Sequence, residues 1–366
     1  MKKIFVGLFL FFCCVSSVRA EELAENAEAA ILLEVSTGKV IYEKNADKKL
    51  APASMTKVMS MLLIMEAIDS GKLTFNDDVV ISDTASSMGG SQIFLQTGEK
   101  YKVQELLKGI AIASGNDAVV AMAEKVSGSV AAFVDAMNAK AASLGLSNTH
   151  FDNPHGLESE NHYTTARDMS VMASELLKHE RILEFTSIYE DYLKKTDGSS
   201  IWLVNTNRLV RFYEGVDGLK TGFTNQAGYC ITTTAKRGDM RLLSVVMNAQ
   251  TSDLRSKDTV NMLNYGFNTY KLDVLIPKDK ELGEQTVEKG NIENVKLYIE
   301  KDVTILSKVS EDKEEYTYNL VVEPLKAPIP NGKEVGSLEV IDKDGNIVKE
   351  VAVVVKEEIK KASILD

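Results

Sequence analysis

Three short polar clusters in this 366-residue chain have the residue types and spacings for nucleophilic catalysis. The first lies in "PASMTKVMSMLLIMEA", where Ser54 and Lys57 stand three positions apart at the head of a long apolar run. Residues three apart on a helix share a face with Cβ atoms about 5–6 Å apart, within reach of a hydroxyl–amine hydrogen bond. Pro52 marks a helix start, where free N–H groups and the helix dipole favour an alkoxide forming on Ser54. A lysine of ordinary pKa, about 10.4, is no base at neutral pH, but burial penalises its charged form. The pair predicts a serine nucleophile with Lys57 as its base.

The same S-x-x-K spacing recurs at Ser36–Lys39, in a turn, and at Ser310–Lys313, in an acidic stretch, so the other two clusters must supply the specificity. Ser114-Gly115-Asn116 falls between two helical segments; its hydroxyl could relay a proton and its amide could hold a substrate carbonyl, although Ser and Asn also serve as plain helix caps. Lys220-Thr221-Gly222 falls at the start of a strand. There a lysine and a threonine could bind a carboxylate, and a residue without a side chain would let substrate lie alongside as an added strand. His150, His155, His162 and His179 are scattered, with no H-E-x-x-H pattern or cysteine partner, so neither a metal site nor a cofactor is expected. No serine sits in a G-x-S-x-G elbow.

The elements that must hold these clusters follow from periodicity. Residues 30–44 read as two strands joined by a turn at Ser36-Thr37-Gly38. The run after Ser54 is apolar around most of its circumference (Val58, Met59, Leu62, Leu63, Met65), and such a helix belongs in the middle of a domain. Helical periods follow over 103–112, 118–126, 130–144 and 165–177. Strands return at 201–203, 228–234 and 241–247, and a last helix covers 253–270. Strands, then helices, then strands describe an α/β domain in which a helical lobe is inserted into a sheet. After Pro277 charges rise, and β-prone runs at 295–299, 316–322, 336–340 and 347–355, with a hairpin signal at Asp344-Gly345-Asn346, predict a small all-β domain.

Residues 1–20 carry the marks of a signal peptide: Lys2 and Lys3, an apolar 4–15 stretch and the small-residue pattern Val18-Arg19-Ala20. Cys13 and Cys14 belong to that segment, which leaves Cys230 as the one cysteine of the mature chain. Its context, "GYCITTT", reads as a strand with a small buried apolar residue, and no disulfide framework is expected. Losing Lys2, Lys3 and Arg19 takes three positive charges from a net charge of −11, to −14. Nucleic acid is excluded as a partner by that charge. No later apolar run nears the roughly 18 residues of a membrane span. Residues 357–366 hold Ile359, Ile364 and Leu365 but little apolar face, which is marginal for even weak peripheral membrane contact.

Taken together and in this order, the clusters match the S-x-x-K, S-x-N and K-T-G set of penicillin-binding proteins and serine β-lactamases. With "TGKVIYEKNADKKLAPASMTKVMS", "FDNPHGLESENHYTTARDMS", "NTNRLV" and "APIPNGKEVGSLEV", the chain resembles the low-molecular-weight penicillin-binding proteins, the D-alanyl-D-alanine carboxypeptidases, over essentially its whole length. The resemblance implies an exported bacterial envelope enzyme of cell-wall maturation. Its residues 21–275 would form a β-lactamase/transpeptidase-like domain, an antiparallel sheet flanked by helices with an all-helical lobe. A β-rich domain at 276–356 and a short tail at 357–366 would follow. It further implies that Ser54 attacks the D-Ala-D-Ala bond of a peptidoglycan stem peptide, that Lys57 takes its proton and that Ser114 passes the proton to the leaving amine. Asn116 would orient the acyl chain, Lys220 and Thr221 would engage the terminal carboxylate beside Gly222, and the N–H groups of Ser54 and Phe223 would form an oxyanion hole. β-Lactam antibiotics would acylate the same serine. A class A β-lactamase is disfavoured, because no E-x-x-L-N segment lies between Asn116 and Lys220 and such enzymes lack the extra β-domain.

Overall fold

The computed structural model describes residues 22–195, 197–312 and 314–362. The expected signal peptide, with Cys13 and Cys14, lies outside the described residues, as do Lys313, Ile364 and Leu365. The central sheet is antiparallel, with strands β1 (Ala29–Glu34), β2 (Val40–Lys44), β3 (Val216–Thr224), β4 (Gly228–Arg237) and β5 (Met240–Ala249) in the order β2-β1-β5-β4-β3. β1, "AAILLE", is buried at every position. Successive side chains on a strand point to opposite faces. Ala29, Ile31 and Leu33 therefore join the core beneath the helical lobe, while Ala30 and Leu32 join a second core on the other face. A strand covered on both sides has to be apolar throughout, as this one is.

The lobe is built from α1 (Lys57–Asp69), α2 (Val103–Ala113), α3 (Asn116–Ser127), α4 (Val130–Ser143) and α5 (Ala166–Leu176). α1 runs through its centre, with Val58, Met59, Met61, Leu62, Ile64 and Met65 all fully buried. The opposite face of the sheet is covered by α6 (Ser252–Thr269) and by the segment after residue 22. That segment is fastened by the buried Asp258, whose carboxylate accepts the N–H groups of Asn26 and Ala27 at 2.9 and 2.8 Å. Among the described residues no helix is long and apolar enough to cross a membrane.

Beyond α6, β6 (Tyr270–Ile276) pairs with β9 (Val303–Lys308). β7 (Glu281–Glu288), β8 (Asn294–Tyr298), β10 (Thr317–Val322), β11 (Leu325–Lys326), β12 (Glu334–Ile341) and β13 (Ile347–Val355) make a six-stranded sheet around a separate core of Val295, Leu297, Val340, Val353 and their neighbours. Ile359 of the tail is fully buried in this core. β6, β7 and β9 are strands that the hydrophobic pattern did not announce. The Ser36–Lys39 turn meets this region: Ser36 Oγ lies 3.2 Å from Thr304 Oγ1, and Lys39 Nζ donates to the Leu306 carbonyl.

Two local departures from the sequence reading matter for the site. Ser54 and Lys57 do not share one α-helix; Ala53–Thr56 is a 3₁₀ turn, and α1 begins at Lys57. Side chains three apart eclipse in a 3₁₀ turn, which brings the two closer than an α-helix would. Nor does Lys220-Thr221-Gly222 open a strand, since β3 already starts at Val216. Gly218, inside β3, is there for space: a Cβ would sit 2.7 Å from Thr186 Oγ1.

One buried carboxylate sets the wall of the site. Asp117, 1% exposed, accepts N–H groups from Ile93, Leu95 and Ala118 at 2.9–3.1 Å and so holds the loop before α2 against the start of α3. Replacing Asp117 with Ala orphans these donors and should lower the unfolding free energy by roughly 3–5 kcal/mol, measured by urea denaturation.

Candidate active site

The 3₁₀ turn Ala53–Thr56 puts Ser54 beside the amine of Lys57, at 3.0 Å. Lys57 is 0% exposed. Its Nζ also donates to Asn116 Oδ1 and to the backbone carbonyl of His155, each at 2.7 Å. These two oxygens can only accept, and Asn116 is oriented by its own Nδ2, which donates to the Gly89 carbonyl at 2.7 Å. A neutral amine has two hydrogens and one lone pair. With both hydrogens committed to carbonyl oxygens, the lone pair is left facing the Ser54 hydroxyl. Burial drives the Lys57 pKa well below its ordinary value, and the nearby charge of Lys220 pushes the same way, while Asp117 opposes. Geometry and electrostatics thus both favour an amine that takes a proton from Ser54.

Ser114 caps α2 in a left-handed conformation, φ 63°, and is 3% exposed. Its Oγ has no hydrogen-bond partner among the described residues, so it is a buried hydroxyl with nothing yet to bind. Lys220, 1% exposed, donates among the described residues only to the Thr221 carbonyl, at 2.9 Å; burial first, and the charge of Arg255 second, lower its pKa to about 7. Thr221 Oγ1 donates to Thr206 Oγ1 at 2.7 Å. Gly222 fits because β3 runs against the Ala53–Thr56 turn: a Cβ would stand 2.9 Å from the Pro52 carbonyl oxygen and 3.0 Å from the Ser54 nitrogen. Phe223 is 51% exposed and packs on Tyr229 with ring centroids 4.3 Å apart.

Hydrogen bonds therefore join Ser54, Lys57 and Asn116, and close backbone approach adds Gly222. Lys220 and Thr221 sit on the same strand as Gly222, with no hydrogen bond to Ser54. The sequence reading missed Arg255 on α6, 6% exposed, whose Nε has no partner among the described residues and whose charge reaches Lys220. It missed the carbonyls of His155 and Gly89 as well. Backbone acceptors have no sequence signature, and Arg255 looks like any helix-surface arginine until the sheet brings it to β3 and β4. Cys230 is buried as expected, with its thiol pKa raised to about 11.

Two histidines line the base of the site, and burial lowers both, His155 to about 3 and His162 to about 4. In the unfolded chain a histidine takes up its proton near pH 6.5, about 3.5 units higher for His155 and about 2.5 for His162. Their contribution to stability is complete above about pH 6.5 and declines as pH falls towards 4. By pH 5 the loss should be roughly 2 kcal/mol per histidine at most, seen as lower unfolding free energy in urea than at pH 7. The two imidazoles should show no titration by NMR over that interval in the native protein.

Comparison with known proteins bears on what such a site belongs to. Residues 16–251 match the model of a D-alanyl-D-alanine carboxypeptidase family, and residues 270–361 match the penicillin-binding protein 5 C-terminal domain. The D-alanyl-D-alanine carboxypeptidase DacF of Bacillus subtilis is 49% identical over 348 residues, covering 95% of this chain and 89% of the relative. The crystal structure of penicillin-binding protein 5 from Haemophilus influenzae superposes with a TM-score of 0.73 at 31% identity, covering 92% of this chain and 98% of that one. That of penicillin-binding protein D2 from Listeria monocytogenes, in an ampicillin-bound form, gives 0.59 at 33% identity over 66% of this chain and 98% of that one. With the carboxypeptidase family matched over more than half of the chain and a relative 49% identical over 95% of it, the chain belongs to the D-alanyl-D-alanine carboxypeptidase family of low-molecular-weight penicillin-binding proteins.

Proposed function

We propose that the protein is a serine-type D-Ala-D-Ala carboxypeptidase that removes the terminal D-alanine from peptidoglycan stem peptides. The observation that carries this reading is the Lys57 amine, with two hydrogens given to carbonyl oxygens and its remaining valence turned to Ser54 at 3.0 Å. Ser54 Oγ attacks the carbonyl of the D-Ala-D-Ala bond as Lys57 takes its proton. The tetrahedral oxyanion is held by the N–H groups of Ser54 and Phe223, a contact worth about 2.7–4 kcal/mol per donor in acyl-transfer enzymes. The proton passes through the Ser114 hydroxyl to the leaving nitrogen, D-alanine departs, and an ester remains on Ser54. Water, deprotonated by Lys57, then hydrolyses the ester and restores the serine.

Binding follows from the remaining groups. The substrate's terminal carboxylate meets Lys220, Thr221 and Arg255; two buried cations beside one another are costly, and an anion between them relieves the cost. The Asn116 amide has two N–H donors and gives one to Gly89, so the other is free for the acyl chain's carbonyl. Gly222 leaves room for the stem peptide beside β3. β-Lactams, as in the ampicillin-bound relative, acylate Ser54. The protein is exported through residues 1–20 and works on the wall outside the cytoplasmic membrane, with residues 21–275 as peptidase domain and 276–356 as β-rich domain. Weak peripheral membrane contact would rest on Ile364 and Leu365, since Ile359 is buried in the β-domain.

Incubation with a diacyl-D-Ala-D-Ala peptide should release free D-alanine, and mass spectrometry after penicillin treatment should place one adduct on Ser54. Both signals should vanish in Ser54→Ala; persistence of either, or rapid penicillin hydrolysis without a lasting adduct, would overturn the reading. Arg255→Gln should raise KM for the peptide about tenfold or more with a smaller change in kcat, the loss expected for one charged hydrogen bond to a carboxylate.

A further inference from the structure

The residue before the nucleophile is held in an unfavourable conformation. Ala53 has φ 47°, in the left-handed region, which costs a residue with a Cβ roughly 1–2 kcal/mol. Something outside the turn must therefore maintain it. The Ala53 carbonyl accepts the Thr56 hydroxyl at 2.8 Å, and Thr56 Oγ1 lies 2.7 Å from His162 Nε2. His162 Nδ1 accepts the N–H of Asp152 at 3.0 Å. A carbonyl only accepts, so the single Thr56 hydrogen points to Ala53, and Thr56 Oγ1 must accept from His162 Nε2–H. The Asp152 N–H only donates, so Nδ1 carries no hydrogen. The partners leave one tautomer, and a directed chain runs from the Asp152 backbone through His162 and Thr56 to the Ala53 backbone.

We propose that His162, acting through Thr56, is a positioning residue that holds Ala53 and hence Ser54 in the geometry needed for acylation. It touches neither substrate nor the reacting atoms. The chain is sheltered, with Thr56 0% and His162 5% exposed, and Phe151 packs edge-on to the imidazole at 5.7 Å between centroids. The same loop braces the turn and the start of α1 at three further points. Pro154 O accepts Ser60 Oγ at 2.6 Å, and His155 O accepts Lys57 Nζ. Gly156, with φ 90°, packs so tightly on the Ala53 carbonyl that a Cβ would stand 1.8 Å from its oxygen. Burial keeps His162 neutral with a pKa of about 4, which preserves the acceptor at Nδ1.

This inference rests on Ser54 being the acylated hydroxyl, so the test begins with the unaltered protein. A fluorescent penicillin must label it at Ser54; failure there would sink the functional reading itself. Thr56→Val keeps the shape and removes the hydroxyl; Thr56→Ser restores it. His162→Leu removes the chain, while His162→Gln returns an N–H donor at about the reach of Nε2. Thr56→Val and His162→Leu should lower the second-order rate constant of acylation about tenfold to a hundredfold, the scale set by small misplacements of a reacting group. With the peptide substrate, kcat should fall while KM stays within about twofold. Thr56→Ser should recover most of the rate and His162→Gln part of it. Rates are compared per folded protein, from circular dichroism. Should His162→Leu fail to fold, Thr56→Val decides alone. Acylation at the unaltered rate in Thr56→Val, or equal losses in Thr56→Val and Thr56→Ser, would overturn the proposal.

Discussion

A buried primary amine is the constraint around which the rest of this protein is arranged. Removing an ammonium from water is expensive, and in practice the group neutralises instead. Lys57 is fully enclosed, with another cation, Lys220, in its field. A neutral amine still needs acceptors for two hydrogens, and they come from two places far apart in sequence, the Asn116 side chain on α3 and the His155 carbonyl. The apolar circumference of α1, the loop that delivers His155 and the inter-helix turn that delivers Asn116 are all consequences of lodging that one nitrogen and pointing its lone pair at Ser54.

Backbone atoms do much of the remaining work, and this explains where glycine is required. β3 approaches the Ala53–Thr56 turn so closely that Gly222 has no room for a Cβ, and Gly156 is pressed against the Ala53 carbonyl. Both contacts are between main chains, which cannot rotate away as a side chain can. The Ala53–Thr56 turn is therefore clamped between the sheet edge on one side and the 152–162 loop on the other, and a strained residue can persist at Ala53 because both neighbours over-determine it.

Charge follows the same economy. The chain as a whole is acidic, yet its site gathers Lys57, Lys220 and Arg255, all buried or nearly so. Each has a depressed pKa, with burial as the first cause. Lys220 and Arg255, both short of hydrogen-bond partners among the described residues, suit a ligand that brings its own negative charge, which a C-terminal carboxylate does. The separate apolar core of the β-rich sheet supports none of these groups directly.

Much of this was legible in the chain itself. The three polar clusters, the all-round apolar helix behind Ser54 and the alternation of strands and helices are local patterns, and local patterns survive in a linear string. Ser54, Lys57 and Asn116 were therefore nameable before any coordinates, as were the helices α1 to α6 to within a few residues. Only the tertiary structure could decide the rest. That His155 offers a carbonyl, that the charge of Arg255 reaches Lys220, that Gly218 leaves room for Thr186, and that His162 has one tautomer are facts about neighbours roughly thirty to a hundred residues away, or about backbone atoms that every residue shares. The sequence determined which groups could react; folding decided which of their hydrogens were already committed, and so which way the proton can go.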